Sequence, residues 1–164
     1  MSSCDVRRVN PIVLVTGGSR GIGAAVALRA ARSGYDVAIN YQNRLEDAEY
    51  VVRAVQALGS RAIAVRADVS GEAEVTRMFE VVDNELGRLT HLVNNAGITG
   101  PRTRLDQIDA DTLRRVLETN VLGAMLCARA AVKRLSTVRG GTGGTITNLS
   151  SAAATLGSPG DYVW

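Results

Sequence analysis

The strongest chemical signal in this chain is Thr16-Gly17-Gly18-Ser19-Arg20-Gly21-Ile22-Gly23, which joins a short apolar run to an alanine-rich stretch of helical character. Its glycines at 17, 21 and 23 read G-x-x-x-G-x-G, not the commoner G-x-G-x-x-G. Both spacings meet the same demand. A sharp turn needs backbone freedom, a close ligand excludes Cβ, and a helix N-terminus offers free N–H groups to a pyrophosphate. A glycine cluster alone also serves as a plain strand-to-helix turn. The strand before it and the helix behind it favour the anion-binding reading. Asp68-Val69 follows a third apolar run, Asn94-Asn95-Ala96-Gly97 a fourth and Asn148-Leu149-Ser150-Ser151 a fifth. An Asp ahead of a helix and an Asn-Gly strand end also have ordinary turn explanations. Asn120 lies among Thr119, Val121 and Leu122, and a buried Asn must be hydrogen-bonded. His91, the single histidine, has no companion that points to a metal or a base, and reads as structural.

The elements that must position these residues alternate. Apolar runs at Pro11 to Thr16, Asp36 to Tyr41, Arg61 to Ala67, Thr90 to Asn94 and Thr145 to Ser150 read as strands. Helical patterns occupy Gly21 to Ser33, Leu45 to Leu58, Gly71 to Leu86 and Asp109 to about Leu135, the last a single long helix with an Asp cap. Gly34, Gly59 and Gly87 close the first three. The last 14 residues read as loop. Such alternation implies an α/β fold, a doubly wound Rossmann-type parallel sheet with helices on both faces. The strand order expected is 3-2-1-4-5, with the switch point between strands 1 and 4.

Composition narrows the class. The chain has 164 residues, 46% hydrophobic and 21% charged, which describes one globular domain. Aromatics are 4%, so Ala, Val, Leu and Ile must fill the core. The net charge of +3 comes almost wholly from scattered Arg, with no basic stripe interleaved by aromatics, so nucleic acid is not an expected partner. Cys4 and Cys127 form neither a zinc pattern nor a disulfide framework. No metal and a reducing, cytoplasmic compartment are expected. No apolar run approaches the roughly 20 residues that span a bilayer, and the first residues lack a signal-peptide core.

Taken together, TGGSRGIG, Asp68-Val69, Asn94-Asn-Ala-Gly97, Asn120 and Asn148-Leu-Ser-Ser151 resemble the short-chain dehydrogenase/reductase family from about residue 11 to the end. The nearest resemblance is to 3-oxoacyl-[acyl-carrier-protein] reductases and glucose 1-dehydrogenase-like members. It implies residues 1–10 as a tail and 11–164 as a partial NAD(P)-binding Rossmann domain. It also implies hydride transfer between a nicotinamide cofactor and a carbonyl or secondary alcohol. Gly17, Ser19, Arg20, Gly21, Ile22 and Gly23 would hold the phosphates and adenosine ribose. Asp68, with Val69 beside it, would accept from the adenine amine. Asn95, Ala96 and Gly97 would line the cofactor. Ser151, rather than Ser150, would bond the substrate oxygen, and Asn120 would anchor a water in the proton relay.

Asn40, Tyr41 and Gln42 would meet the adenosine ribose, where NAD enzymes place a carboxylate. Tyr41 takes that position. With Arg20 facing a 2′-phosphate and Arg44 nearby, NADP is the implied cofactor and NAD the alternative. The family's Tyr-x-x-x-Lys pair does not occur in these residues: Tyr162 has no lysine after it, and the only lysine is Lys133. The expectation is therefore a C-terminally truncated, inactive piece of an active homo-oligomeric reductase, two further strands lying downstream. A non-catalytic nucleotide-binding or regulatory module is the alternative. The codons after Trp164 discriminate between them.

Overall fold

The computed structural model describes residues 10–157. Residues 1–9, with Cys4, and residues 158–164, with Tyr162 and Trp164, lie outside them. Five parallel strands, β1 (Ile12–Val15), β2 (Asp36–Tyr41), β3 (Ala62–Arg66), β4 (His91–Asn94) and β5 (Thr145–Asn148), form one sheet in the order β3-β2-β1-β4-β5. That is the order expected from the alternation of elements.

β1 is buried along its whole length, and its side chains divide between two cores. Val13 and Val15 face one side with Val37 and Ile39, packed on α1 (Gly21–Arg32) and α2 (Leu45–Gln56) through Ala27, Ala31, Ala48, Val51 and Val55. Ile12 and Leu14 face the other, against α3 (Glu72–Glu85) and the helix that follows β4. Phe79, the chain's one phenylalanine, anchors that second core with Met78 and Val82. Alanine on the helices lets them lie close on the sheet, which is how an aromatic-poor chain packs to interior density.

Two expectations need correction. The stretch from Asp109 to Leu135 is not a uniform α-helix. α4 (Ala110–Leu117) opens at an Asp109 cap that accepts from Thr112 N at 2.7 Å, and passes into a π-helical segment, Glu118–Gly123, before α5 (Ala124–Leu135). The extra residue in that turn shifts the side chains by one position. The second correction falls in the last 14 residues. Residues 153–156, read as loop, form a one-turn helix, α6 (Ala153–Leu156).

Candidate functional site

Where β1 gives way to α1, the chain turns in a conformation that needs glycine. Gly17 has φ +61° and Gly21 φ +56°, both in the left-handed region. A Cβ on Gly17 would stand 3.0 Å from Ala96 Cα, whereas one on Gly21 would meet nothing within 4 Å. One glycine thus packs against β4's loop and the other opens on space.

Side chains from two neighbouring strands hold the turn. Asn40, buried at the end of β2, accepts from Gly17 N at 3.1 Å and donates to Ala67 O at 2.9 Å. Its amide is therefore engaged by the protein backbone behind the turn. Asn95 donates through Nδ2 to Thr16 O at 2.8 Å and Gly17 O at 3.0 Å. Thr16 answers in the reverse direction, its Oγ1 accepting from Asn95 N and Ala96 N, each at 3.0 Å. Thr16 and Asn95 are 79 residues apart, and the sequence reading assigned Thr16 no role. Asn94 was overlooked as well: its Nδ2 donates to Ala124 O at 3.0 Å and Asn148 Oδ1 at 2.9 Å, tying β4 to α5 and β5. A polar residue ending an apolar strand was the available signal for both.

The N-terminus of α1 has no side-chain cap and no acidic residue in its first turn. Its leading N–H groups are free to meet an anion. They open on a cleft of about 500 Å³ lined by Gly17, Ser19, Arg20, Gly21 and Ile22, by Asn40, Tyr41 and Gln42, by Asp68 and Val69, and by Asn95, Ala96 and Gly97. Of the fourteen cofactor-binding positions expected, only Gly23 is missing from this lining; it sits behind the turn, where a Cβ would lie 2.5 Å from Asn95 Nδ2. The cleft lies beyond the carboxyl ends of β1 and β4, at the switch point.

The two expected catalytic residues line a separate cavity of about 430 Å³, with Asn95, Ala96 and Gly97 forming a wall common to both. Asn120, inside the π-helical segment, accepts from Ile98 N and donates to Ile98 O, both at 2.8 Å. Ser151 is exposed, its Oγ accepting from Ala153 N at 3.1 Å, and Ser150 lines the same cavity. His91 is remote, at the start of β4. Its Nδ1 lies 2.8 Å from Thr90 Oγ1 and its ring edge meets Tyr35, and burial holds its pKa below the usual value. It is structural, as expected. Among the described residues no cluster of metal-ligating side chains occurs, and no helix is long and apolar enough to cross a membrane.

Parallel order, switch-point cleft and glycine turn define a Rossmann-type α/β protein. More narrowly, the chain belongs to the short-chain dehydrogenase family, whose model matches residues 11–163. It is 49% identical over 152 residues to the uncharacterized oxidoreductase YgfF of Escherichia coli, covering 93% of this chain and 62% of that protein. It is 40% identical over 149 residues to the 3-oxoacyl-[acyl-carrier-protein] reductase FabG of Staphylococcus aureus, covering 90% of this chain and 58% of the reductase. A short chain dehydrogenase from Burkholderia cenocepacia, solved in complex with NADP, superposes with a TM-score of 0.85 at 40% identity over 94% of this chain and 61% of that one. An NAD⁺-bound xylitol dehydrogenase gives the same TM-score at 32% identity, over 94% of this chain and 58% of its own. The chain thus spans about three-fifths of the length of these relatives.

Proposed function

We propose that the protein carrying this chain transfers hydride between NADP(H) and a small carbonyl or secondary alcohol. One observation carries the cofactor half. The uncapped start of α1 opens on a cleft whose rim holds Arg20 and Arg44, with Tyr41 where an NAD-selecting carboxylate would stand. A guanidinium favours a 2′-phosphate, and no acid at Tyr41 repels it. Arg20 is the principal group. Arg44 already bonds Asp47 at 3.2 Å, an exposed pair that screens part of its charge. The Burkholderia relative's NADP complex supports the reading.

NADP, when bound, supplies or accepts the hydride. The chain's own residues do the rest. The turn from Gly17 to Gly23 would hold the phosphates, Asp68 and Val69 the adenine, and Asn95, Ala96 and Gly97 the nicotinamide side. Ser151 would hydrogen-bond the substrate oxygen. Asn120, whose side chain is committed to Ile98, would serve a proton relay through its place in the π-helical turn rather than through its amide. A small-molecule substrate, a homo-oligomeric assembly and a cytoplasmic location belong to the same proposal.

The test is a titration of the chain with NADPH and NADH, followed by the emission of the reduced nicotinamide. NADPH should bind several-fold tighter. Tighter NADH binding overturns the cofactor assignment. The product of the full reading frame, assayed over a panel of ketones, should oxidise NADPH; no turnover on any ketone or alcohol overturns the reaction class.

A further inference from the structure

Asn40 borders the cleft, yet it is 2% exposed and its amide is turned into the protein. It stands near the carboxyl end of β2, with β1 on one side and β3 on the other. Toward β1, its Oδ1 accepts from Gly17 N at 3.1 Å. Its main chain repeats that tie, Asn40 O accepting from Gly18 N at 2.9 Å. Toward β3, its Nδ2 donates to Ala67 O at 2.9 Å, with Val65 O at 3.4 Å and Tyr41 O at 3.5 Å beside it. Two things follow. The first two N–H groups of the glycine turn are engaged by Asn40, which leaves a phosphate those from Ser19 onward. The two hydrogens of Nδ2 are engaged by backbone carbonyls, so Asn40 has no donor to offer a ribose hydroxyl.

We propose that Asn40 is a positioning residue for nucleotide binding: its amide sets the glycine turn against the end of β3, and it makes no polar bond to the nucleotide itself. This rests on the nucleotide reading of the cleft. The two walls that the amide joins, Gly17 on one side and Ala67 on the other, both line that cleft. The tie depends on polarity as well as shape, because an acceptor must face Gly17 N and a donor must face Ala67 O. Leucine has nearly the shape of asparagine and neither group. A carboxylate has the shape and the acceptor, but sets an oxygen against the carbonyls of Ala67 and Val65. Burial and those carbonyls disfavour its charged form, so the pKa of a carboxyl placed there is raised. Protonated, it donates to Ala67 O and stands in for the amide. An Asn40→Asp variant should therefore hold the turn below that raised pKa and release it as pH rises through it.

The test measures dissociation constants for NADPH by nicotinamide emission from about pH 6 to about pH 8.5, each variant against the wild type at the same pH. That baseline removes the titration of the nucleotide's own 2′-phosphate and of Tyr41 and Asp68, which adjoin Asn40 and Ala67 in the chain. Asn40→Leu should bind NADPH about tenfold more weakly at every pH. Asn40→Asp should lie within about threefold of the wild type at the acid end and at least about tenfold below it at the alkaline end. A purely structural amide would lower the melting temperature and leave affinity alone. Wild-type affinity in a folded Asn40→Leu therefore overturns the inference while the nucleotide reading stands, and so does an Asn40→Asp ratio that stays flat across the range. A loss in Asn40→Asp without one in Asn40→Leu is charge acting on the phosphates through space, and overturns it as well. Failure of the wild type to bind NADPH overturns the nucleotide reading, and the inference with it. Circular dichroism at each pH confines the comparison to folded protein, and Asn40→Ala repeats the neutral arm should Asn40→Leu misfold.

Discussion

Asp36 stands at the base of β2 with its side chain 2% exposed, facing Asn10 Nδ2 at 3.1 Å, Arg61 N at 2.9 Å and the Arg61 guanidinium at 2.7 Å. Burial alone pushes its pKa up. The hydrogen bonds from Asn10 and Arg61, with the Arg61 charge, outweigh burial and hold the carboxyl below its ordinary 3.8. A depressed folded-state pKa contributes stability above the unfolded value that is lost as pH falls through the folded one. Asp36→Asn should therefore cost about 1–3 kcal/mol at neutral pH. The gap should close below about pH 4, as thermal unfolding of both proteins across pH would show. Cys127 makes the opposite case. Burial pushes its thiol up to about 12, so it carries almost no thiolate at neutral pH. With Cys4 replaced by serine, the native chain should resist iodoacetamide and react only when denaturant is added. Rapid native labelling would contradict the packing of α5. At the cofactor rim, Tyr41→Asp should move preference toward NADH by setting a carboxylate against the 2′-phosphate. A shift of roughly tenfold in the ratio of dissociation constants corresponds to about 1.4 kcal/mol. An unchanged ratio would remove Tyr41 from the selection.

The elements behave as a set of ties between strand ends, and that scale separates what was legible in the sequence from what was not. Strand–helix alternation calls for a doubly wound parallel sheet, and the order 3-2-1-4-5 expected from it is the one observed, with β1 buried on both faces. Most of the positions that line the cleft stand just past the carboxyl ends of β1 to β4, where this fold brings residues together, whereas Asn120 lies in the π-helical segment. That segment was not legible. Thr119, Val121 and Leu122 suit an α-helix equally well, and the added residue is fixed by a tertiary contact, Asn120 with Ile98. Thr16, Asn94 and Asn40 are visible in the sequence as polar strand ends, but their partners are not, since each binds backbone far away in sequence. The one-turn helix at 153–156 is too short to show a period. These ties make a prediction about the turn. Gly23→Ala would place a Cβ 2.5 Å from both Asn95 Nδ2 and Gly17 O. The Asn95 amide must then move, freeing Thr16 O and Gly17 O. Nucleotide affinity should fall at least tenfold, with a lower melting temperature, whereas Gly18→Ala, facing Ile39 and Val15, should act through packing alone. Calorimetric titration of the two variants distinguishes them.

At the scale of the whole molecule, the two ends of the sheet differ. β3 is covered on one side by α2 and on the other by α3, while β5 ends the opposite edge with Thr145, Thr147 and Asn148 exposed and only Ile146 half-buried. An edge of that kind presents unpaired backbone groups to another chain. A stripe of exposed apolar side chains also runs along α4, the π-helical segment and α5, Leu117 at 58%, Val121 at 50% and Met125 at 65%, while Val116, one residue from Leu117, is fully buried. The polypeptide of these 164 residues should accordingly self-associate as its concentration rises, which light scattering over a dilution series measures. Lysine placed on that stripe, as in Leu117→Lys with Met125→Lys, should shift the scattering toward monomer without weakening nucleotide binding, because neither residue borders the cleft. The same polypeptide should show no dehydrogenase turnover. In the proposed reading Ser151 would polarise a substrate oxygen and no more, and the residues given contain no Tyr-x-x-x-Lys pair to exchange its proton. General acid catalysis is worth about a hundred- to ten-thousandfold, so hydride transfer without it falls far below the rate of a complete relative. Nucleotide binding and turnover should therefore separate in this polypeptide: NADPH bound, ketone left unreduced. Ketone reduction at a rate normal for the family, from a monodisperse sample, would show that a proton donor other than the family's tyrosine serves this site.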